Sequence, residues 1–270
     1  MPKKQKQTEE TVLTTTNETA LALPDDLLDE LAELGALDEL DKEDRPLPFW
    51  IFNAKIKTED ESWVPKDMFF NTVTELCKDD IDCVLLHLRK TRRHAEYIEG
   101  VGTQVYCRSE DRIEGITEDG EVRACDSCPN KNWGAGRGRD AAPKCGIVYN
   151  LIGIDLEDQT PFIVRAKSTS LKPVQKYIAR HFAGKMKRSK GGLGDFPLFV
   201  YKTRLSLRMP TDNYSVLTLE NIAPCSEDEI REFQALYKYF KDSARVRTDI
   251  EPAENMDETD NADEADFLAD

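Results

Sequence analysis

Short stretches of strand character dominate the apolar and polar pattern of this chain, and helical spacing is confined to a few segments. Phe49-Trp50-Ile51-Phe52 is a short apolar run of strand type, and Trp63-Val64-Pro65 opens a second element. Phe69 to Cys77 reads as a short helix. Cys83-Val84-Leu85-Leu86-His87-Leu88 is a buried-strand pattern that runs directly into Arg89-Lys90-Thr91-Arg92-Arg93. Val101 to Cys107 forms a further strand. Ile147 to Ile154 and Pro161 to Ala166 read as two strands around the turn Asp155 to Thr160. Leu198 to Met209 alternates: Phe199, Tyr201, Thr203, Leu205 and Leu207 share one face, and Lys202, Arg204 and Arg208 share the other. The turn Pro210 to Asn213 and the run Tyr214 to Leu219 complete a hairpin.

Helical periodicity marks three segments. Leu27, Leu28, Leu31, Leu34 and Leu37 follow Asp25 and Asp26 in an amphipathic pattern. That helix either packs on the body or docks onto a partner or a neighbouring subunit. Val174, Tyr177, Ile178 and Phe182 predict a helix from Leu171 to Gly184, with Ser170 as its N-cap. The last helix, Glu227 to Phe240, has Ser226 at its N-cap and Glu229 three residues on, which is a capping box. Short strands, one crossover helix after the third or fourth strand, and a closing hairpin predict a mixed α+β, mainly β fold. An OB-fold-like barrel with flanking helices has this order.

Charge divides the chain further. Residues 1–45 carry 13 acidic and 5 basic side chains, and residues 249–270 carry 10 acidic and no basic ones. The net charge is −15, so residues 46–248 are left at +3. We therefore expect an acidic, mostly disordered N-terminal arm (1–45) with one amphipathic helix, a folded domain (46–248), and a disordered acidic tail (249–270). No run of eighteen apolar residues is present, which excludes a membrane-spanning helix. Met1-Pro2-Lys3-Lys4-Gln5-Lys6 has no apolar signal region, and the seven cysteines are an odd number, so a reducing cytoplasm is expected.

Four of those cysteines lie between residues 107 and 145, as C-x17-C-x2-C-x16-C: Cys107, Cys125, Cys128 and Cys145. Thiolates in such a cluster suit tetrahedral zinc, and the Cys125/Cys128 pair makes one knuckle. The glycine-rich, polar residues between them have too little apolar content to order themselves, so bound metal supplies the ordering energy. Disulfides need an oxidising compartment, and a thioredoxin-like pair needs a strand and a helix around it. Unliganded thiols are the remaining alternative, and His87, His94 or His181 can replace one ligand. With every position filled by protein, the Zn2+ is structural rather than catalytic. The segment 107–145 is then an insertion between strands of the barrel.

The second chemical signal is basic. Residues 165–208 contain Arg165, Lys167, Lys172, Lys176, Arg180, Lys185, Lys187, Arg188, Lys190, Lys202, Arg204 and Arg208 against Asp195 alone, a net of +11. Aromatic residues interleave with them. Positive charge tracks a phosphate backbone by releasing counterions, and exposed rings stack on unpaired bases. The cysteine segment adds Lys131, Trp133, Arg137, Arg139 and Lys144, and a third cluster is Arg89, Lys90, Arg92 and Arg93. Solvated faces and core aromatics are the bland alternative; in the hairpin Phe199 and Tyr201 fit it. No P-loop, no H-x-E with C-x-x-C deaminase signature and no paired-carboxylate metal motif occurs in a structured segment, so an enzyme is not expected.

In layout the chain resembles phage and plasmid single-stranded DNA-binding proteins, which join an OB-like body to an acidic C-terminal tail with a late aromatic. Some of these carry a structural zinc. The run Cys125-Asp126-Ser127-Cys128-Pro129-Asn130-Lys131-Asn132-Trp133-Gly134, followed by Cys145, is also similar to a zinc-containing cysteine pattern in proteins of phage replication modules. The resemblance implies coating of single-stranded DNA in replication, recombination or repair, with self-association on DNA, in the host cytoplasm if phage-encoded. It also implies that the tail, through Phe267 and Leu268, recruits replication and recombination proteins. The alternative expectation is a zinc-ribbon transcription or replication accessory factor acting mainly through protein contacts.

Overall fold

The structure is a computed structural model that describes residues 47–52, 64–98, 102–134, 142–183, 185–187, 193–195, 197–212 and 214–242. The expected helix at Leu27–Leu40, the acidic tail with Phe267 and Leu268, and Trp63, Arg137, Arg139, Arg188 and Lys190 lie outside the described residues. So does the opening of the element expected at Trp63.

The fold is mainly β, with an extended mixed sheet and a few helices. In chain order the strands are β1 (Phe49–Ile51), β2 (Phe69–Asn71), β3 (Cys77–Lys78), β4 (Asp80–Ile98), β5 (Gly102–Ser109), β6 (Glu114–Thr117) and β7 (Val122–Ala124). Then come β8 (Cys145–Asp155), β9 (Pro161–Ala166), β10 (Lys185–Lys187), β11 (Leu193–Asp195), β12 (Tyr201–Thr211) and β13 (Tyr214–Pro224). The helices are α1 (Leu171–Ala183), between β9 and β10, and α2 (Glu227–Asp242) at the end. Eleven strands form one sheet along the path β3-β2-β1-β9-β8-β4-β5-β6-β7, with the β12–β13 hairpin attached to β4; β10 and β11 pair separately. Pairing of β1 with β9 is parallel, and the other described ladders are antiparallel. The path is open, and its end strands β3 and β7 do not pair with each other among the described residues.

The axis of the sheet is β4, 19 residues long. Its first five residues pair with β12, residues 92–98 pair with β5, and the whole middle, Cys83 to His94, pairs with β8. Because β8 overlaps both, β12 and β5 occupy the same edge of β4 in succession. Register breaks at Leu85/His87 and His94/Ala95 let one strand serve three neighbours, since a bulge bends a strand and raises its twist.

Both faces of the sheet are covered. Val84, Leu86, Ile152, Ile154 and Ile163 join Phe233 and Phe240 of α2 in one core, whereas Cys83, Leu85, Leu151 and Val164 join Val174 and Tyr177 of α1 in the other. Burial on both sides explains why Val84-Leu85-Leu86 reads as an unbroken apolar run. Close approach also fixes Gly153 on β8: a Cβ there would stand 2.9 Å from Phe162 Cζ and 3.0 Å from the Val84 carbonyl oxygen.

Several sequence expectations are corrected. Phe69 to Cys77 is not a helix but β2, a turn and β3. Phe69 enters the α1-side core and Phe70 the α2-side core, a period of two. Asn71 Oδ1 then accepts the N–H groups of Val73 (2.9 Å) and Thr74 (3.0 Å), and Glu75 takes a φ of 57°, turning the chain back. Ser170 does not act as the expected N-cap. It ends a 3-10 turn, and its hydroxyl instead accepts the Leu217 N–H at 3.0 Å, tying the start of α1 to β13. The hairpin begins at Tyr201, after a 3-10 turn at Leu198–Val200. The helix α1 follows the ninth strand, not the third or fourth, because the sequence pattern misses β2 and β3 and the strands of the cysteine segment. The capping box is present as read: Ser226 N–H donates to Glu229 Oε2 (2.7 Å) and Glu229 N–H to Ser226 Oγ (3.3 Å). Among the described residues, no helix is long and apolar enough to cross a membrane.

Candidate functional site

Strand register brings the four cysteines of the 107–145 segment to one place. His94 on β4 stands opposite Cys107 on β5 and opposite Cys145 on β8, so Cys107, His94 and Cys145 form a row across three strands. The other two thiols arrive on the β6–β7 hairpin. Cys125 N–H donates to the Ile113 carbonyl at 2.8 Å, and Cys128 N–H turns back to the Cys125 carbonyl at 3.3 Å before the 3-10 turn Pro129–Lys131. All four cysteines line one cavity of about 290 Å³, together with Arg92 and His94. Gly115 on β6 is required there: a Cβ would stand 2.8 Å from Cys107 Sγ and 3.6 Å from Cys125 Sγ. The loop before it is held by Asp111, whose Oδ1 accepts the N–H groups of Ile113 (2.8 Å) and Glu114 (3.0 Å).

All seven cysteines are free thiols. Burial pushes the Cys107 thiol up, and negative charge on Cys125 or Cys128 would push it further. Burial likewise raises the Cys145 thiol, with Arg92 opposing and Cys107 and Cys128 adding to the rise. Neighbouring thiolates thus disfavour ionisation of Cys107 and Cys145, a penalty that a bound divalent cation reverses. The donor set therefore fits a thiophilic metal in its chemistry. Among the described residues, no three His, Cys, Asp or Glu side chains are already drawn into metal-holding geometry; the thiols share the wall without converging. Of the three histidines, His94 alone joins the cavity wall. His87 lies against Tyr237 of α2, and His181 lies on α1 between the rings of Tyr177 (4.7 Å) and Tyr201 (5.5 Å).

The basic residues sort into two kinds. One kind is already engaged by a carboxylate, a carbonyl or an aromatic ring, in several cases far away in sequence. Arg204 makes a two-point contact with Asp82 (Nε–Oδ1 2.7 Å, Nη2–Oδ2 2.8 Å), which holds the Asp82 carboxyl below its ordinary range. Lys202 meets Glu229 at 2.7 Å, and that contact, followed by the Ser226 N–H, pulls the Glu229 carboxyl down to about 2. Lys144 meets Glu96 at 3.3 Å, Arg89 meets Glu110 at 3.3 Å and Lys131 meets Asp126 at 3.5 Å. Arg92 donates to the Cys145 carbonyl at 3.3 Å, Lys90 lies 5.6 Å from the Tyr149 ring centre, and Arg165 lies 4.4 Å from that of Phe49.

The other kind is displayed on α1. Lys172, Lys176 and Arg180 recur every four residues and are exposed, while Val174, Tyr177 and His181 on the other side of the helix are buried. The helix contains no acidic side chain, and none of the three makes an ion pair with a described residue. Four residues of helix rise about 6 Å and turn about 40° past a full circle, so the three charges form a slanted row rising about 12 Å along one side of α1. A hydrogen bond between Tyr177 Oη and Thr203 Oγ1 (2.6 Å) fastens the opposite side of the helix to β12. Lys90 and Arg92 stand on the same face of the sheet as α1, opposite Tyr149 and Ile147 in register, on the way to the cysteine cavity. Lys167 and Arg208 are exposed at the ends of this region, Lys187 lies on β10, and Trp133 is 57% exposed. Arg123, which reaches the cavity wall from β7, is not singled out by sequence reasoning, although its place opposite Gly115 follows from hairpin alternation.

No protein-family model, no curated protein and no solved structure matches this chain.

Proposed function

We propose that this chain is a non-enzymatic protein that binds single-stranded DNA through its phosphates, as in replication, recombination or repair. The observation that carries the reading is the row Lys172, Lys176 and Arg180 on a helix without acidic residues, in a segment of net charge +11. A polyanion meets that row without first displacing a described carboxylate. Trp133, exposed beside the cysteine cavity, offers a ring for stacking.

Zinc on Cys107, Cys125, Cys128 and Cys145 is part of the proposal, with His94 as the one histidine placed to substitute. Its supports are the shared cavity and the space that Gly115 leaves above two of the thiols. Bound there, the metal fixes the β6–β7 hairpin and the turn before Trp133. The OB-like reading of the fold draws its support from β4, a long bulged strand that pairs with β12 and then β5 along one edge, and from the closing β12–β13 hairpin. In this proposal the ten carboxylates of residues 249–270 compete for the basic helix. DNA displaces them and frees Phe267 and Leu268 for partner proteins.

The test is a salt series of oligonucleotide binding, read by fluorescence anisotropy. Wild-type affinity should fall linearly in log–log form with salt. In the K172Q/K176Q/R180Q variant the slope should shrink by about 2, at about 0.7 per lost phosphate contact on a single strand. Arg204→Gln, whose cation is already paired, should change the slope by well under one contact. Absence of wild-type binding at low salt, or salt-insensitive binding, would refute the function. Zinc removal confirmed by metal analysis should weaken binding, and a chain lacking 249–270 should bind more tightly than the full chain.

A further inference from the structure

Among the described residues, the sheet has an open edge within the cysteine segment. β7 has β6 on one side and no described strand on the other. Glu121 and Cys125 turn their backbone groups inward: Thr117 N–H donates to the Glu121 carbonyl at 2.9 Å, and Cys125 N–H donates to the Ile113 carbonyl at 2.8 Å. Backbone direction alternates along a strand, so the N–H and C=O of Val122 and Ala124 face outward. Side chains alternate as well. Arg123 lies on the cavity side opposite Gly115, whereas Val122 lies on the other side opposite Ile116. Val122 is 63% exposed and Ile116 48%. An edge of this kind is a template for another strand.

We infer that the edge of β7 pairs with the β7 edge of a second copy of this chain, antiparallel and two-fold about Val122. The register is self-consistent on three counts. Val122 opposite Val122 of the copy uses the outward backbone groups in a mutual pair of hydrogen bonds; Gly120, opposite Ala124, stands in the turn with its N–H donated to the Thr117 carbonyl, so the mutual pair rests on Val122. On the cavity face, Glu121 falls opposite Arg123 of the copy and Arg123 opposite its Glu121, so the charges that already meet at 2.7 Å within one chain extend into a box of four. On the other face, Ile116 and Val122 of both copies line up in one apolar row. An isologous contact of this form needs every residue to be matched by its symmetry mate, and here each is. A β7 of three residues makes a small interface, below the size of a stable complex, so the pairing is a weak one that high local concentration favours.

The inference does not rest on DNA binding and is tested without DNA, by sedimentation equilibrium of the full chain over a wide concentration range. Apparent mass should move from 30.7 kDa toward twice that value as concentration rises. Glu121→Arg sets Arg against Arg across the axis and Arg123→Glu sets Glu against Glu, so each variant alone should stay monomeric. An equimolar mixture of the two restores opposite charges at every contact and should associate again, as should the double variant E121R/R123E. Both side chains are 62% exposed, so the folded body tolerates the exchanges. A wild-type chain that stays monomeric at the highest concentration, or single variants that associate as the wild type does, would overturn the inference. Failure of the mixture to associate would overturn the two-fold register.

Discussion

Thr203→Val is a sharp probe of how α1 is held. Thr203 is fully buried and Tyr177 is 3% exposed, and their hydroxyls share one hydrogen bond of 2.6 Å, within the usual range for two oxygens. Burial pushes the Tyr177 phenol well up, so at neutral pH it is the neutral, bonding form. Valine keeps the shape of threonine and removes the oxygen, leaving the phenol hydroxyl buried without a partner. Such an orphaned group costs about 1–3 kcal/mol, whereas replacing both partners by apolar groups is close to neutral. Thr203→Val should therefore destabilise by about 2 kcal/mol, and Tyr177→Phe/Thr203→Val should be more stable than Thr203→Val alone. The difference between the double variant and the sum of the singles should be about 1–2 kcal/mol. Urea unfolding followed by circular dichroism, with an unchanged m-value, reads this directly. A Thr203→Val penalty under about 0.5 kcal/mol, or strict additivity, would mean that this bond does not fasten the helix.

Three further outcomes follow from local geometry. Gly153→Ala should destabilise by about 1–3 kcal/mol through overpacking, because the new methyl meets the Val84 carbonyl oxygen and Phe162; urea unfolding checks it, and a neutral result would show that β4 and β9 yield without strain. Ser226→Ala should remove about 1 kcal/mol by breaking the capping box of α2, measured as a fall in thermal midpoint, with Ser226→Asp largely retaining it. Burial holds both His87 and His181 below the ordinary imidazole range, so the unfolded chain takes up protons first as pH falls through about 6.5. Their contribution is present above that pH and is lost below it, and His181→Phe should flatten the dependence between pH 7 and 5.5. Rising stability on acidification over that interval would contradict the sign. The carboxylates of Asp82, Glu96 and Glu229, held low by their cations, lose their contribution only at more acid pH, in a separate window.

Features set by close neighbours along the chain are legible from residue order alone. The capping box needs Ser226 and Glu229 three residues apart, and the strands β8 and β9 need only their own apolar runs. Phe69-Phe70 misleads because adjacent aromatics look alike whether they sit on a helix or face two cores, and nothing in the run says that both faces of the sheet are covered. The cysteine cavity is half legible. Spacing identifies the four thiols, but the reason for their meeting is register: Cys107 and Cys145 flank His94 on a strand with no cysteine in that stretch. Least legible is which cations are spoken for. Arg204 has no acid near it in sequence, and its partner Asp82 lies 122 residues away.

For the proposed binding of a polyanion, which cations are already paired matters more than how many there are. The ion pair of Arg204 with Asp82 is about 40% exposed on each side, and solvent screens such surface pairs so strongly that they do little to hold the fold together. Their larger effect is on the field outside the protein. A guanidinium with a carboxylate 2.7 Å away presents a dipole, whose potential dies within a few ångströms of the surface. Lys172, Lys176 and Arg180 stand about 6 Å apart, closer than the Debye length of about 10 Å at 0.1 M salt, so their potentials add rather than screen one another. The number of basic residues between 165 and 208 is thus a poor guide to where a polyanion settles. In the proposed reading, the three charges on α1 count for more than Lys202 and Arg204, which are already paired with Glu229 and Asp82, and loss of any one of the three should weaken binding more than loss of Arg204.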